Sequence, residues 1–357
     1  MPAVRVAIVG GGLSGLYAAT LLEERGIHDY LLLEARERFG GRILSEPSTA
    51  ADRFDLGATW FWPALQPELA RLVQQLGLTT FAQHEDGDML LEHAPAHAPR
   101  RVDGYRSEPA ALRIEGGMGA LTDALAQRLA ADRRRTNCRV QRLRHAGACI
   151  EAEADDAPGI LRADHVLLAV PPRLAADTIE CTPALPDALV QSWQGCATWM
   201  APHTKYVAVF DQPFWRRQGL SGEARSAVGP MAEIHDASAP GGPAALFGFL
   251  GVPAPLRRRM PEADLRARCR AQLVRLFGDA AQSPRAEFLK DWASDPCTAA
   301  AADQYPADHQ AAELPSTARS GAWSGRLTGI ASEWSPAFPG YAAGALDAAR
   351  RGVEALP

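Results

Sequence analysis

The sequence predicts an α/β chain whose N-terminal end is doubly wound around a parallel sheet. Two observations carry that prediction. Residues 4–9 are an apolar, β-branched run that reads as a buried strand, followed at once by Gly10-Gly11-Gly12-Leu13-Ser14-Gly15 and a helical pattern up to residue 25. A second buried strand, residues 29–33, ends on Glu34, which lies 19 residues past Gly15. A chain of 357 residues suits two domains and can bury a sizeable core.

The elements follow in order. Gly10, Gly12 and Gly15 fit G-x-G-x-x-G: a tight turn, close approach of a pyrophosphate, and close helix–strand packing. Leu16, Ala19 and Leu22 share one helix face, and Gly26 is the stop signal. The helix N-terminus offers N–H groups and a positive dipole end to the pyrophosphate. Glu34 stands where an acid accepts ribose hydroxyls. This Rossmann-like unit implies a dinucleotide, and the motif alone does not separate NAD from FAD. Arg42, freed by Gly40 and Gly41, can reach the same phosphates as a planar donor fork, or stand as a solvated loop charge.

Further along, Gly57 and Ala58 let the backbone approach a flat ring, and Thr59 and Trp60 follow. Leu69, Leu72, Val73 and Leu76 have helical spacing closed by Gly77. Residues 84–104 read as hairpin or loop at a domain edge. His93 and His97 there flank Pro95, so no helical metal pair forms and no metal site is expected. Strands are expected at 138–143, 149–153 and 161–170, the last stopped by Pro171-Pro172. Lys205 opens a strand to residue 210, where a lysine either points to solvent or stands as a buried amine. A strand at 245–250, a helix at 262–277, a strand at 327–331 and a helix at 342–356 complete the pattern.

Composition excludes several classes. The net charge is −5 and no long basic run occurs, so nucleic-acid binding is not expected. Six cysteines form no C-x-x-C, and the closest two are 11 apart, which suits a reducing compartment rather than a disulfide framework. No apolar run reaches the roughly 18 residues that span a membrane, and no secretory pattern precedes the first strand. The expectation is a soluble cytoplasmic protein, a monomer or homodimer, with neither membrane nor nucleic acid as partner.

The glycine motif, Glu34 and Gly40-Gly41-Arg42 resemble the flavin-containing amine oxidase family, the group of monoamine and polyamine oxidases. So do the segment 54–81, Gly116-Gly117-Met118-Gly119, Lys205, Trp292 with Asp295-Pro296, and Ser332-Glu333 with Gly340-Tyr341. The resemblance spans almost the whole chain. It implies a Rossmann-like doubly wound FAD-binding domain from residues 1–62, 111–178 and 284–357. Into it is inserted an α+β substrate domain, a mixed sheet plus helices, from 63–110 and 179–283. It implies FAD contacts from Gly10, Gly12, Leu13, Ser14, Gly15, Glu34, Ala35, Arg36, Gly41 and Arg42. Further contacts are implied from Gly57, Ala58, Thr59, Trp60, Val140, Trp292, Ser332, Glu333, Tyr341 and Ala342.

By the same resemblance, Lys205 holds a water against the flavin and serves reoxidation, and Tyr341 orients the substrate as one wall of an aromatic cage. The implied reaction takes a small-molecule amine and O2. Hydride passes from the carbon next to the amine to flavin N5, the imine hydrolyses, and oxygen reoxidises the flavin. Two departures matter. The place of the cysteine that fixes FAD covalently in some members falls near Ala301, and Cys297 falls short of it, so FAD is expected to be non-covalent. The other cage wall falls near Ala302, so the cage is incomplete unless Tyr305 or a tryptophan completes it. Only 55 residues separate Pro63 from Met118, which implies a small substrate cover. The short cover also resembles renalase-like flavoproteins acting on reduced nicotinamides; related folds desaturate C–C bonds. A non-catalytic FAD-binding partner is the third reading.

Overall fold

The computed structural model describes residues 3–48, 52–155, 159–305 and 314–357. Contacts divide the chain into two units. The first is Met1–Ile43, Leu121–Ala201 and Asp295–Pro357; the second is Leu44–Ala120 and Pro202–Ser294.

An eight-stranded sheet organises the first unit. Its centre is parallel, with Ala3–Val9 between Tyr30–Leu33 and Leu161–Leu168. Val6 to Val9 and all of Tyr30–Leu33 are buried, as strands covered on both faces must be. Arg134–Arg135 extends one side. On the other, Leu161–Leu168 divides its free edge. Its end at 166–168 pairs in parallel with Leu327–Gly329, and its start at 161–163 pairs antiparallel with Ile150–Ala154. Val140–His145 and Glu180–Thr182 follow outward. The helices Leu13–Glu24 and Ala342–Glu354 pack on each other. Trp193, Trp323 and Trp334 fill the core, and each indole N–H finds a carbonyl, on Pro315, Pro183 and Pro315 respectively.

The second unit holds a seven-stranded sheet in the order Ala286–Asp291, Thr204–Phe210, Ala244–Leu250, Met231–Asp236, Leu220–Ser226, Asp88–Glu92, Arg100–Val102. One pair, Leu220–Ser226 with Asp88–Glu92, is parallel and the others are antiparallel. Every residue of Thr204–Phe210 is buried. Alternation divides them between two faces. Tyr206, Ala208 and Phe210 meet Leu265, Cys269 and Leu273 of the Glu262–Phe277 helix. Val207 and Val209 meet Phe54, Leu56 and Phe247. Lys205 belongs to the second of these faces.

Several elements differ from the sequence reading. The expected strand 327–331 stops at Gly329, because Ala331 is already the extended cap of a short 3-10 turn, Ser332–Trp334. Residues 84–104 do hold a hairpin at the sheet edge, Asp88–Glu92 with Arg100–Val102. The strand before Pro171-Pro172 ends at Leu168, and the first unit continues beyond the two prolines. Pro172 opens the helix Pro172–Thr178, and Glu180–Thr182 returns to the same sheet, so the unit runs on to Ala201. Proline at a first helical position starts a helix as readily as it ends a strand. Residues 44–62 fall in the second unit, since the Leu44 carbonyl accepts the N–H groups of Leu56 and Gly57. Residues 286–291 do so as a strand of the seven-stranded sheet. Among the described residues no helix is long and apolar enough to cross a membrane.

Candidate functional site

In the first unit the glycine motif makes a strand–turn–helix joint. Gly10 has φ +107°, and a Cβ on Gly15 would stand 1.9 Å from the Gly10 carbonyl oxygen. Gly12 precedes the Leu13–Glu24 helix in extended conformation with no side-chain cap, which leaves first-turn N–H groups available. Gly40 N–H donates to Gly11 O at 2.9 Å. The nearest atoms to a Cβ on Gly12 would be those of Gly41 and Gly40, at 3.7–3.9 Å. Two glycine segments thus form an all-backbone cradle at the positive end of a helix, a fit for a pyrophosphate.

The flanking predicted residues are held firmly. Leu13 is buried and the Ser14 hydroxyl donates to the Ile330 carbonyl. Buried Glu34 accepts the N–H of Gly11 at 2.7 Å and of Arg36 at 2.9 Å. Its Oε1 also lies 3.6 Å from Arg36 Nη1. Past Ala35, the Arg36 guanidinium donates to Asp295 at 2.6 Å and Thr298 at 2.8 Å. Val140 is buried beside a bulge at the start of its strand.

Arg42 meets a carboxylate within the protein. Its terminal nitrogens donate to both carboxylate oxygens of Glu333, to Ser332 Oγ at 3.1 Å and to the Trp199 carbonyl at 3.3 Å. The reason is burial: the Glu333 carboxylate is enclosed and requires a paired cation. Burial alone would raise the Glu333 carboxyl, and Arg42 reverses this, holding it below its ordinary value.

The same network fixes an aromatic pair. The Trp199 N–H donates to Glu333 at 3.4 Å. Gly340, at φ +81°, leaves no room for a side chain, since a Cβ there would stand 2.5 Å from the Trp199 Cβ. The Trp199 and Tyr341 rings lie 6.2 Å apart and 32° from parallel. Tyr341 is 38% exposed, so it is no core tyrosine. It precedes the Ala342–Glu354 helix, whose first turn also lacks a side-chain cap. Ala301, Ala302 and Tyr305 lie exposed, and the ring that Tyr341 meets, in a tilted pair, is that of Trp199. The sequence alone assigns Trp199 no role at the site.

In the second unit Lys205 is the central finding. It is 2% exposed, not a lysine turned to solvent. Its Nζ donates to Thr59 Oγ1 and to the Gly57 carbonyl at 3.4 Å, and lies 3.9 Å from the Phe247 ring centre. Burial drives the amine down to about 7; Asp55 opposes the shift and Arg113 adds to it. Trp292 is buried, and its indole N–H donates to the Leu56 carbonyl at 2.9 Å. Trp60 donates to Gln83 at 2.8 Å and meets His235 edge-on. Gly57 and Ala58 are half-buried beside them.

Asp55, Arg113 and Phe247 were not foreseen. One signal pointed at this face. Lysine occurs twice in the chain, against 35 arginines, and those two lysines, Lys205 and Lys290, are cross-strand partners. The Lys290 ammonium lies 4.8 Å from the Trp292 ring.

The family profile described as flavin containing amine oxidoreductase matches residues 13–107 and 89–357. The probable flavin-containing monoamine oxidase A of Dictyostelium discoideum is 24% identical over 393 residues, covering 80% of this chain and 83% of that one. The flavin-containing amine oxidase A of Sus scrofa is 45% identical over 78 residues, 22% of this chain and 14% of that one. In fold, a wild-type putrescine oxidase bound to putrescine superposes with a TM-score of 0.81 at 22% identity, covering 99% of this chain and 98% of that one. Cyclohexylamine oxidase from Brevibacterium oxydans IH-35A gives a TM-score of 0.81 at 20% identity, with 99% and 98% covered.

Proposed function

The chain belongs to the flavin-containing amine oxidoreductases and is an FAD-dependent enzyme, and from that premise we propose that it oxidises a small primary or secondary amine with O2 as electron acceptor. The observation that carries the reading is the buried amine of Lys205 on an apolar sheet face. Bound FAD supplies the acceptor for the hydride that leaves the carbon next to the amine nitrogen, and passes the electrons to oxygen. The glycine cradle and the first turn of Leu13–Glu24 hold the pyrophosphate, with Glu34 on the ribose. Lys205 offers a cation where charge develops during reoxidation and positions a water. Tyr341, backed by Trp199, orients the substrate through its exposed ring. Cofactor binding is non-covalent, since alanine stands at position 301 and Cys297 lies earlier. Six free cysteines support a reducing compartment, the cytoplasm.

The test is anaerobic bleaching of the flavin against amines, amino acids and reduced nicotinamides. Bleaching by at least one primary or secondary amine is expected. If a reduced nicotinamide bleaches the flavin and no amine does, the amine reading is wrong and the renalase-like one takes its place.

A further inference from the structure

The pocket around the Lys205 amine is built from groups that the reaction above leaves without a task. Thr59 Oγ1 and the Gly57 carbonyl both accept from Nζ. The Thr59 hydroxyl in turn has the Gly57 carbonyl at 3.3 Å as acceptor for its own proton. Its lone pairs are therefore turned to the amine. The Phe247 ring face closes the third side at 3.9 Å. An ammonium has three N–H donors and no acceptor, so two oxygens and a π face are the partners it needs. We propose that Thr59 is the positioning residue that keeps the Lys205 amine protonated inside this apolar pocket, with Phe247 as its second support.

Charged groups approach from every neighbouring element. Asp55 comes from the same segment as Thr59. Its Oδ1 accepts the Ser45 hydroxyl and the Met118 N–H, while its buried Oδ2 has no hydrogen-bond partner. Arg113 comes from Leu112–Ile114, buried and with its Nε unpartnered. Lys290 stands at the same register on the strand beside Lys205. Glu233 and His235 lie two strands away on the other side, opposite Phe249 and Phe247. Burial alone would strip the proton, Asp55 favours it and Arg113 disfavours it. The proton is then exchangeable near neutral pH, and each acceptor shifts its occupancy. Arginine does not deprotonate in proteins. The chain uses it at 35 of 37 basic positions and keeps lysine here.

The kinetic consequence of this inference rests on the proposed function; the titration of the amine does not. Two lysines give two side-chain signals in the full-length protein labelled with 13C at lysine Cε, and Lys205→Met assigns them. One signal is expected to titrate far below an ordinary lysine. Thr59→Val should weaken proton affinity at Lys205 by about tenfold, and Thr59→Ser should restore it. Phe247→Leu should lower it in the same direction by a smaller factor. An unchanged midpoint in Thr59→Val overturns the proposal, and so does a loss that Thr59→Ser fails to repair. In stopped-flow reoxidation, the pH midpoint should move with the NMR midpoint. Should Lys205→Met leave reoxidation untouched, the role given to Lys205 in catalysis falls, while the NMR result on Thr59 stands.

Discussion

Lys205 shows how much one side chain depends on what faces it. Its strand position reads equally well as a solvated lysine; burial drives the amine down to about 7, with Asp55 opposing the shift and Arg113 adding to it. Lys205→Met is expected to keep flavin reduction within a few-fold and to slow oxygen reoxidation by roughly two orders of magnitude, as when one preorganised charge is removed from a developing anion. Stopped-flow measurement of both half-reactions checks this. Stability should respond too. The amine lies below the ordinary lysine value of 10.5, so between about 7 and 10.5 the unfolded chain binds the proton and the folded chain does not. Stability contributed at this site therefore rises with pH across that window and is lowest below it. Lys205→Met should raise the urea midpoint, more at pH 7 than at pH 10. The Arg42–Glu333 pair has the opposite sign. Glu333 is held below its ordinary value of 4.5, so its contribution is present above that value and is lost as pH falls through the folded one. Arg42→Met leaves a buried carboxylate unpaired and should cost about 3–5 kcal/mol. The double change with Glu333→Leu should recover most of it, read by denaturant unfolding.

At the scale of elements, the first strand–turn–helix joint carries two glycines with different tasks. A Cβ on Gly15 collides with the Gly10 carbonyl, whereas a Cβ on Gly12 meets the protein only at ordinary contact distance. Gly15→Ala is therefore expected to lower both stability, by about 1–3 kcal/mol, and FAD retention. Gly12→Ala should leave the fold within about 1 kcal/mol and still lose FAD, because its methyl fills the cradle. Thermal unfolding and flavin content of the purified variants separate the two. This joint was legible from residues alone, since strand, glycines, helix and acid are contiguous. The strand holding Lys205 was legible as a strand but not as a site. Its alternation assigns Lys205 to the face of Val207 and Val209, and only the residues on that face determine its chemistry. At Pro171-Pro172 the strand has ended and a helix begins at once, because proline can do both.

For the whole molecule, each unit is assembled from separated stretches, and that is where local pattern stops being informative. Arg42 finds its partner 290 positions later, at Ser332 and Glu333, and Trp199 finds Tyr341. The expectation of a non-covalent cofactor belongs at this scale, since it follows from which residue reaches position 301. Acid precipitation should release all yellow colour into the supernatant; colour kept in the pellet would show a covalent bond.

Contiguous pattern by itself determined the glycine-rich strand–turn–helix joint, many of the strands and helices within a few residues, and the family resemblance. These rest on backbone preferences and on hydrophobic period, which act over neighbouring residues. Tertiary structure alone decided that Lys205 is enclosed, that Thr59 and Phe247 meet its amine while Asp55 and Arg113 act on its charge, that Arg42 answers Glu333, and that the Trp199 ring meets Tyr341. Desolvation, pairing of buried charge and ring contact depend on what lies opposite, and chain order does not say what that is.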